Sequence, residues 1–345
     1  MFSLFRVYKQ LFEKEFGPGY GDGMMQKLKE KVSEINQQLG DKCAAFEQLT
    51  DDEFIVAICT PSMKRVHTQW DRSAEQAFLD SSGTMDRLGC RVFLLLTHSP
   101  IGGLPLGVFF CSSETEDILL KALHLFIGLL PPNAFGGKGK TGPSLFLTDD
   151  CAASRNALNS VFPSSLVYLC TFHVLQAIWR YLLDSKHGVG ARDRQEVYRM
   201  AKEMLWAEDL TALHTYFTTL INKCESKEYG ELVKYFKNLY ERRRSWALCF
   251  RDMSSDNSYS LSRANNTNNI CEAQMRVLKE KILRRVQSFN PVQLLEFLYH
   301  DFSSYYERKL TDAANGRFEE YSLCTRFYPD AKDITSDMVH EVSFF

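Results

Sequence analysis

The chain has 345 residues, of which 45% are hydrophobic and 24% charged, a composition typical of globular proteins. Its 41 basic and 43 acidic residues give a net charge of −2, which excludes a globally basic nucleic-acid binder but not a local basic surface. The ten cysteines include no Cys-x-x-Cys pair, which favours a reduced intracellular protein. No secretory or membrane-spanning segment is predicted, because the most apolar stretch, residues 118–130, is too short to cross a bilayer.

The N-terminal region, residues 1–72, is predicted to be helical, with a break at the Gly-rich stretch 17–23. After it, three short apolar runs bounded by turn residues predict strands over residues 77–80, 91–97 and 104–111. The acids in residues 114–117 favour the first turn of a helix, where the helix dipole stabilises negative charge.

Two further strands are predicted at 144–147 and 166–170, the first followed by a short helix and the second by a helix over 173–183. The order β-β-β-α-β-α-β-α predicts an α/β fold with a mixed sheet, whose first part spans residues 73–188. Residues 189–253 predict an all-helical insertion. Its expected apolar contacts are Tyr198, Leu205, Trp206, Phe217, Tyr235 and Trp246.

The remaining chain is predicted to complete the core over residues 254–310, before a C-terminal tail at 311–345. One helix is expected from residue 270 to about residue 286, and Asn290-Pro291 is typical of the start of another. The expected buried face of the first of these helices consists of Cys271, Met275, Leu278, Ile282 and Val286.

Three acidic residues are candidates for a catalytic or metal-binding site. Asp80 and Asp149 each end a predicted strand, and Glu272 lies in the first turn of a predicted helix. Carboxylates at the ends of neighbouring strands converge at one edge of a sheet, and together they need a divalent cation to remain ionised. Each acid also has a simpler explanation as a turn or cap residue, and Asp150 competes with Asp149 for the site.

Glu272 has a specific structural alternative. With Asn269 as the N-cap, Glu272 would occupy the third helical position and complete a capping box. On a helical wheel, however, Glu272 lies at the border of the buried face, in line with Arg276 and Lys279. Both interpretations stay open on local physics alone.

Three blocks of sequence, taken together, resemble the catalytic domain of Mutator-like (MULE) transposases. The first contains FLDSSGT at 78–84, MDRLG at 85–89 and LPLGVFF at 104–110. The second contains LFLTDD at 145–150, VFP at 161–163 and CTFH at 170–173. The third contains TNNICE at 267–272, followed by LK at 278–279.

This resemblance implies a ribonuclease-H-like fold with Asp80, Asp149 and Glu272 as a catalytic triad. It implies a two-ion Mg²⁺ (or Mn²⁺) site, cleavage and strand transfer of DNA in the nucleus, and a homo-oligomer if the protein is active. Cys170 and His173 match a family Cys-x-x-His element, which supplies only two of four zinc ligands, so no structural zinc site is expected. Further supporting candidates are Asp150, Asn268 and Asn269.

The cations around the predicted site are candidates for contacts with the DNA backbone, or else form solvated helix faces. They are Arg276, Lys279, Arg284 and Arg285, together with Arg242, Arg243 and Arg244. Because the zinc-type modules of the family are not evident here, we expect weak, non-specific and salt-dependent DNA binding. Two alternatives remain: a domesticated, catalytically inactive regulator that binds DNA or protein, and an unrelated α/β protein with coincidental acids.

Overall fold

A seven-stranded mixed sheet organises the structure, a computed structural model that describes residues 4–251, 266–286 and 289–315. The strands, in chain order, are β1 (Ala44–Gln48), β2 (Phe54–Ile58), β3 (Gln76–Ser82), β4 (Arg91–Ser99), β5 (Gly102–Cys111), β6 (Leu145–Thr148) and β7 (Leu166–Leu169). Their order across the sheet is β1-β2-β5-β4-β3-β6-β7. The β3–β6 and β6–β7 pairs are parallel, and all other pairs are antiparallel.

The predicted order of elements in the first part of the core is confirmed. Helix α4 (Glu116–Ile127) connects β5 to β6, α5 (Ala152–Val161) connects β6 to β7, and α6 (Thr171–Leu183) follows β7. Parallel strands need such crossover connections, so the two parallel pairs follow from the β-α-β-α-β pattern. Thr115 caps α4 by accepting a hydrogen bond from the Ile118 amide. Glu116 and Asp117 therefore lie in the first turn of the helix, as expected.

The N-terminal region corrects the prediction that residues 1–72 are helical. Three helices are present, α1 (Leu4–Phe16), α2 (Asp22–Leu39) and α3 (Pro61–Gln69), but β1 and β2 lie between α2 and α3. All five residues of β2 are buried, and β2 pairs with β5. The two strands thus extend the sheet beyond β5, whose outer edge would otherwise have unpaired backbone groups.

The predicted insertion is helical in the described residues and packs around a hydrophobic cluster of its own. It contains α7 (Ala191–Leu205), α8 (Leu210–Ser226) and α9 (Gly230–Glu241). The buried face of α6 joins this cluster instead of the sheet core. The predicted apolar contacts are present except for Trp206, which is 52% exposed because it follows the last turn of α7, off its buried face.

The last described elements return to the sheet. Helix α10 (Asn269–Val277) packs against β3, β4 and β5 and continues into a π-helical turn, Leu278–Ile282. Then come α11 (Pro291–Glu296), a π-helical turn at Phe297–Asp301, and α12 (Phe302–Ala314). The predicted burial of Val286 is wrong: it is 48% exposed, because the π-helical turn shifts the helical phase and the helix ends before it.

Asn290 caps α11 as predicted, with its side chain accepting a hydrogen bond from the Gln293 amide. Most of the predicted tail at 311–345, and residues 254–265 at the start of the predicted end of the core, lie outside the described residues. Among the helices that the structure describes, none combines the length and hydrophobicity needed to cross a membrane.

Candidate active site

The sheet register makes the first two acids neighbours. Strands β3 and β6 are parallel, with Leu79 opposite Thr148. Asp80 and Asp149 are the residues that follow this pair, so both stand at the same edge of the sheet. The prediction that these two acids converge on adjacent strands is therefore confirmed, but Asp80 does not end its strand, because β3 continues to Ser82.

Asp80 occupies an environment that disfavours its negative charge. Burial, reinforced by the neighbouring charge of Asp149, raises the pKa of Asp80 to about 7. Glu272 raises this pKa further, whereas the Ser81 amide, which donates to Asp80 Oδ1 at 2.9 Å, and the Lys279 ammonium lower it. Asp80 and Asp149 therefore repel each other electrostatically, a repulsion that a bound cation would relieve.

The structure separates the roles of Asp149 and Asp150. Asp149 Oδ1 accepts hydrogen bonds from the Cys151 amide at 3.2 Å and from Thr148 Oγ1 at 3.4 Å, at the start of α5. Asp150 instead accepts hydrogen bonds from both terminal nitrogens of Arg242, each at 2.5 Å. Its Oδ1 is also 3.3 Å from an Arg155 nitrogen. Asp150 is thus neutralised by arginines, which corrects its proposal as a supporting site residue.

Glu272 comes to the same site from α10. Its carboxylate is 43% exposed, and Oε1 lies 3.6 Å from Nε2 of His173, on the first turn of α6. The capping-box alternative for Glu272 does not apply, because α10 begins at Asn269 and the N-cap position belongs to Asn268, whose side chain makes no capping bond. Asn269, the N-cap of that alternative, is an exposed residue inside the helix.

A set of hydrogen bonds fixes the start of α10 against the start of α6. Cys170 Sγ accepts from the Asn268 amide at 3.1 Å, and the Thr171 amide and hydroxyl both donate to the Asn266 carbonyl at 3.0 Å. Arg251 donates to Asn266 Oδ1 at 2.8 Å and to the Leu169 carbonyl at 2.5 Å. This arrangement gives Cys170 a structural role.

Arg251 and Asn266 were not predicted as part of the site. Arg251 is only 3% exposed and lies over the Tyr168 ring, with its centre 5.2 Å from the ring centroid. Burial lowers the pKa of Arg251 to about 10. In the sequence the only available signal is an isolated arginine after the apolar Trp246–Phe250 run, and that signal is weak.

The three acids line one cavity of about 640 Å³, which we call the acid pocket. Its other lining residues include His173 and three of the predicted DNA-contacting cations, Arg276, Lys279 and Arg285. Arg284, the fourth, does not line it. The pocket therefore combines carboxylates with a basic rim.

The Arg242–Arg244 cluster is not part of this rim. Arg242 is paired with Asp150, while the Arg243 guanidinium lies 4.6 Å from the Tyr240 ring centroid and donates to the Tyr240 carbonyl. Neither these two residues nor Arg244 lines the acid pocket. The cluster therefore lies outside the lining of the acid pocket, and its contact with the DNA backbone stays a prediction.

Two buried polar side chains near the acids have no hydrogen-bond partner among the residues that the structure describes. Both side-chain amide atoms of Asn268, which is fully buried, are unpaired, as is Nδ1 of His173. Within the described ranges, no three His, Cys, Asp or Glu side chains are drawn together tightly enough to enclose a metal ion as they stand. The donor set itself, three carboxylates at one cavity, is of the hard-oxygen type that Mg²⁺ and Mn²⁺ prefer.

Comparison with known proteins adds no relative: no protein-family model matches this chain, and no curated protein matches it either. The interpretation of the acid pocket therefore depends on its geometry and chemistry.

Proposed function

We propose that this protein is a metal-dependent DNA strand-cleaving and strand-transferring enzyme of the MULE transposase type. The observation that carries the proposal is the acid pocket itself. Three carboxylates from β3, the start of α5 and the first turn of α10 line one cavity, although 69 and 123 residues separate them in sequence. Structural turn and cap residues have no reason to converge in this way.

The topology supports a ribonuclease-H-like core. Strands β5-β4-β3-β6-β7 form a consecutive block in the sheet, with the first three antiparallel and the last two added in parallel. The helical insertion lies between α6 and α10, ahead of the third acid, where the family resemblance expects it. In this proposal, β1 and β2 are an addition to the outer edge of that core.

The donor chemistry of the three carboxylates suits the divalent ions that the proposal requires. Asp80, Asp149 and Glu272 would hold them, and the raised pKa of Asp80 reflects a negative potential that a cation would relieve. When bound, two such ions activate the attacking hydroxyl or water and stabilise the leaving oxygen of a phosphodiester.

The chain's other residues bind and orient the substrate. Arg276 and Lys279 are exposed at the rim of the acid pocket, where they can pair with phosphates on either side of the reacting bond. His173 contacts the Glu272 carboxylate from α6 and so helps to fix its position at the pocket. Because its substrate would be DNA, the proposal includes a nuclear location for the protein.

A nicking assay on supercoiled plasmid tests the proposal. The wild-type protein should nick DNA in Mg²⁺ or Mn²⁺ but not in EDTA, and Asp149→Asn should abolish nicking. Asp150→Asn is the matched control. It removes the same charge at the neighbouring position, from a side chain that is paired with Arg242. If Asp149→Asn nicks as well as wild type, the proposal is wrong.

A second outcome identifies the alternative function. Wild-type protein that binds DNA but nicks in no divalent cation would be the domesticated, inactive regulator.

A further inference from the structure

A second cavity adjoins the acid pocket. It has a volume of about 770 Å³ and is lined by α1, the loop between β3 and β4, the π-helical turn after α10, and the region from α11 to α12; we call it the lateral cleft. Leu283 and Val286 line both cavities, so the two are continuous at this point.

The lateral cleft carries an excess of positive charge. Four exposed cations line it, and within the described residues none of them forms an ion pair: Arg87, Lys281, Arg284 and Arg308. Among the described lining residues, two are carboxylates, Glu13 and Asp301. Unpaired cations at the mouth of a cavity attract a polyanion.

Aromatic rings lie among these cations. Phe12 and Phe297 are partly exposed in the lining, and the buried Phe289 supports Phe297 with an edge-on contact at 5.3 Å between ring centroids. Cations that follow a phosphate backbone, combined with ring faces on which bases stack, are the usual chemistry of single-strand nucleic-acid binding. A duplex presents no unstacked bases to such rings.

The chain turns sharply where the two cavities meet. Arg284 and Arg285 have φ angles of 50° and 59°, in the left-handed region that non-glycine residues rarely adopt. As a result Arg285 lines the acid pocket and Arg284 lines the lateral cleft. Adjacent arginines in this conformation can contact successive phosphates of one strand that passes from one cavity to the other.

We propose that the lateral cleft binds a single-stranded nucleic-acid segment that leads into the acid pocket. Its bases stack on Phe297, and its phosphates pair with Arg87, Lys281, Arg284 and Arg308. The position of this segment next to the reacting phosphodiester rests on the proposed function, but the binding itself does not.

Fluorescence anisotropy of labelled (dT)12 in EDTA tests the binding without cleavage. The double variant Arg87→Gln/Arg308→Gln removes two phosphate contacts, which should make the slope of log affinity against log salt shallower by about 1.4. The same relation gives about 25-fold weaker binding at 0.1 M salt. The control Arg192→Gln/Arg199→Gln removes the same charge from exposed positions on α7 and should change affinity less than twofold.

Variants at Phe297 separate stacking from simple electrostatics. Phe297→Leu keeps an apolar side chain but loses the ring face and should weaken (dT)12 binding about fivefold or more, whereas Phe297→Tyr should restore it. A 12-base-pair duplex should bind more weakly than (dT)12 and should not respond to Phe297→Leu. Equal binding of duplex and single strand, or no effect of Phe297→Leu, would overturn the proposal in favour of a non-specific anionic surface.

Asp149→Asn distinguishes this proposal from the proposed function. It should abolish nicking but leave (dT)12 affinity in EDTA unchanged or slightly increased, because one nearby negative charge is lost. If wild type nicks DNA while the Arg87/Arg308 and Phe297 variants bind (dT)12 normally, only the lateral cleft proposal fails. If (dT)12 binding follows the predicted pattern and no nicking occurs, only the proposed function fails.

Discussion

Replacement of Asp80 by asparagine should stabilise the metal-free protein at alkaline pH. The pKa of Asp80 is about 7 in the folded protein, against an ordinary value of 3.8, because the carboxyl is buried beside Asp149. Between these two values the folded state binds more protons than the unfolded state, so stability falls as pH rises and is lowest above pH 7. Asparagine carries no charge, and its side-chain oxygen can still accept from the Ser81 amide.

The size of the effect follows from the difference between the two pKa values. About three pH units at 1.36 kcal/mol each give an upper limit of roughly 4 kcal/mol. Since the acid pocket is open to solvent, an effect of about 2–4 kcal/mol is reasonable. With an unfolding entropy of roughly 0.7 kcal/mol per degree for a chain of this length, the melting temperature should rise by about 3–6 °C.

Thermal melts at pH 5 and pH 8, in EDTA and in Mg²⁺, measure this effect. In EDTA, Asp80→Asn should melt higher than wild type at pH 8, and the difference should shrink at pH 5. Mg²⁺ should stabilise wild type but not the variant. Asp52→Asn, at an exposed loop position, controls for the change in net charge. A variant that melts below wild type at pH 8 in EDTA, or a difference that is the same at both pH values, would refute the electrostatic reasoning.

Two other substitutions test the corrected roles of residues around the acid pocket. Asp150→Asn should lower the free energy of unfolding by about 1 kcal/mol, since the pairing of Asp150 with Arg242 is only partly shielded from solvent. The variant should keep the stabilisation by Mg²⁺, and urea unfolding with and without Mg²⁺ measures both effects. Asn269→Ala should change the free energy of unfolding by less than about 0.5 kcal/mol, because Asn269 is exposed and does not cap α10. Glu272→Gln, in contrast, should remove the Mg²⁺-induced shift in melting temperature. A loss above 1 kcal/mol for Asn269→Ala would restore it as the cap.

The sheet core was predictable from local sequence because its strands are short apolar runs with clear boundaries. Buried parallel strands such as β6 read as continuous hydrophobic segments, and Asp149, which follows β6, marks the edge of the sheet. Strand β2 has the same character, with five buried residues in FIVAI, but its assignment depends on pairing with β5, about 50 residues later in the chain. The local pattern cannot supply that partner, so β1 and β2 were missed.

The choice between Asp149 and Asp150 also depended on a distant residue. Both acids follow β6 and neither has a distinguishing local pattern, but Arg242 comes from a position 92 residues away and pairs with Asp150 alone. The start of α10 was misplaced by one residue for a related reason. Its first turn is fixed from outside, because Cys170 accepts a hydrogen bond from the Asn268 amide. A capping pattern within α10 could not reveal this contact.

The spacing of Cys170 and His173 now has a physical explanation that involves two helices. Cys170 precedes the first turn of α6 and holds Asn268, while His173 lies in that first turn and meets Glu272, four residues after Asn268. A separation of three or four residues brings side chains to the same face of a helix, so both contacts form between the same two faces. The position of the third acid is therefore set by α6 as much as by α10. Because α6 packs into the hydrophobic cluster of the helical insertion, this cluster and the sheet core together place Glu272 beside Asp80 and Asp149.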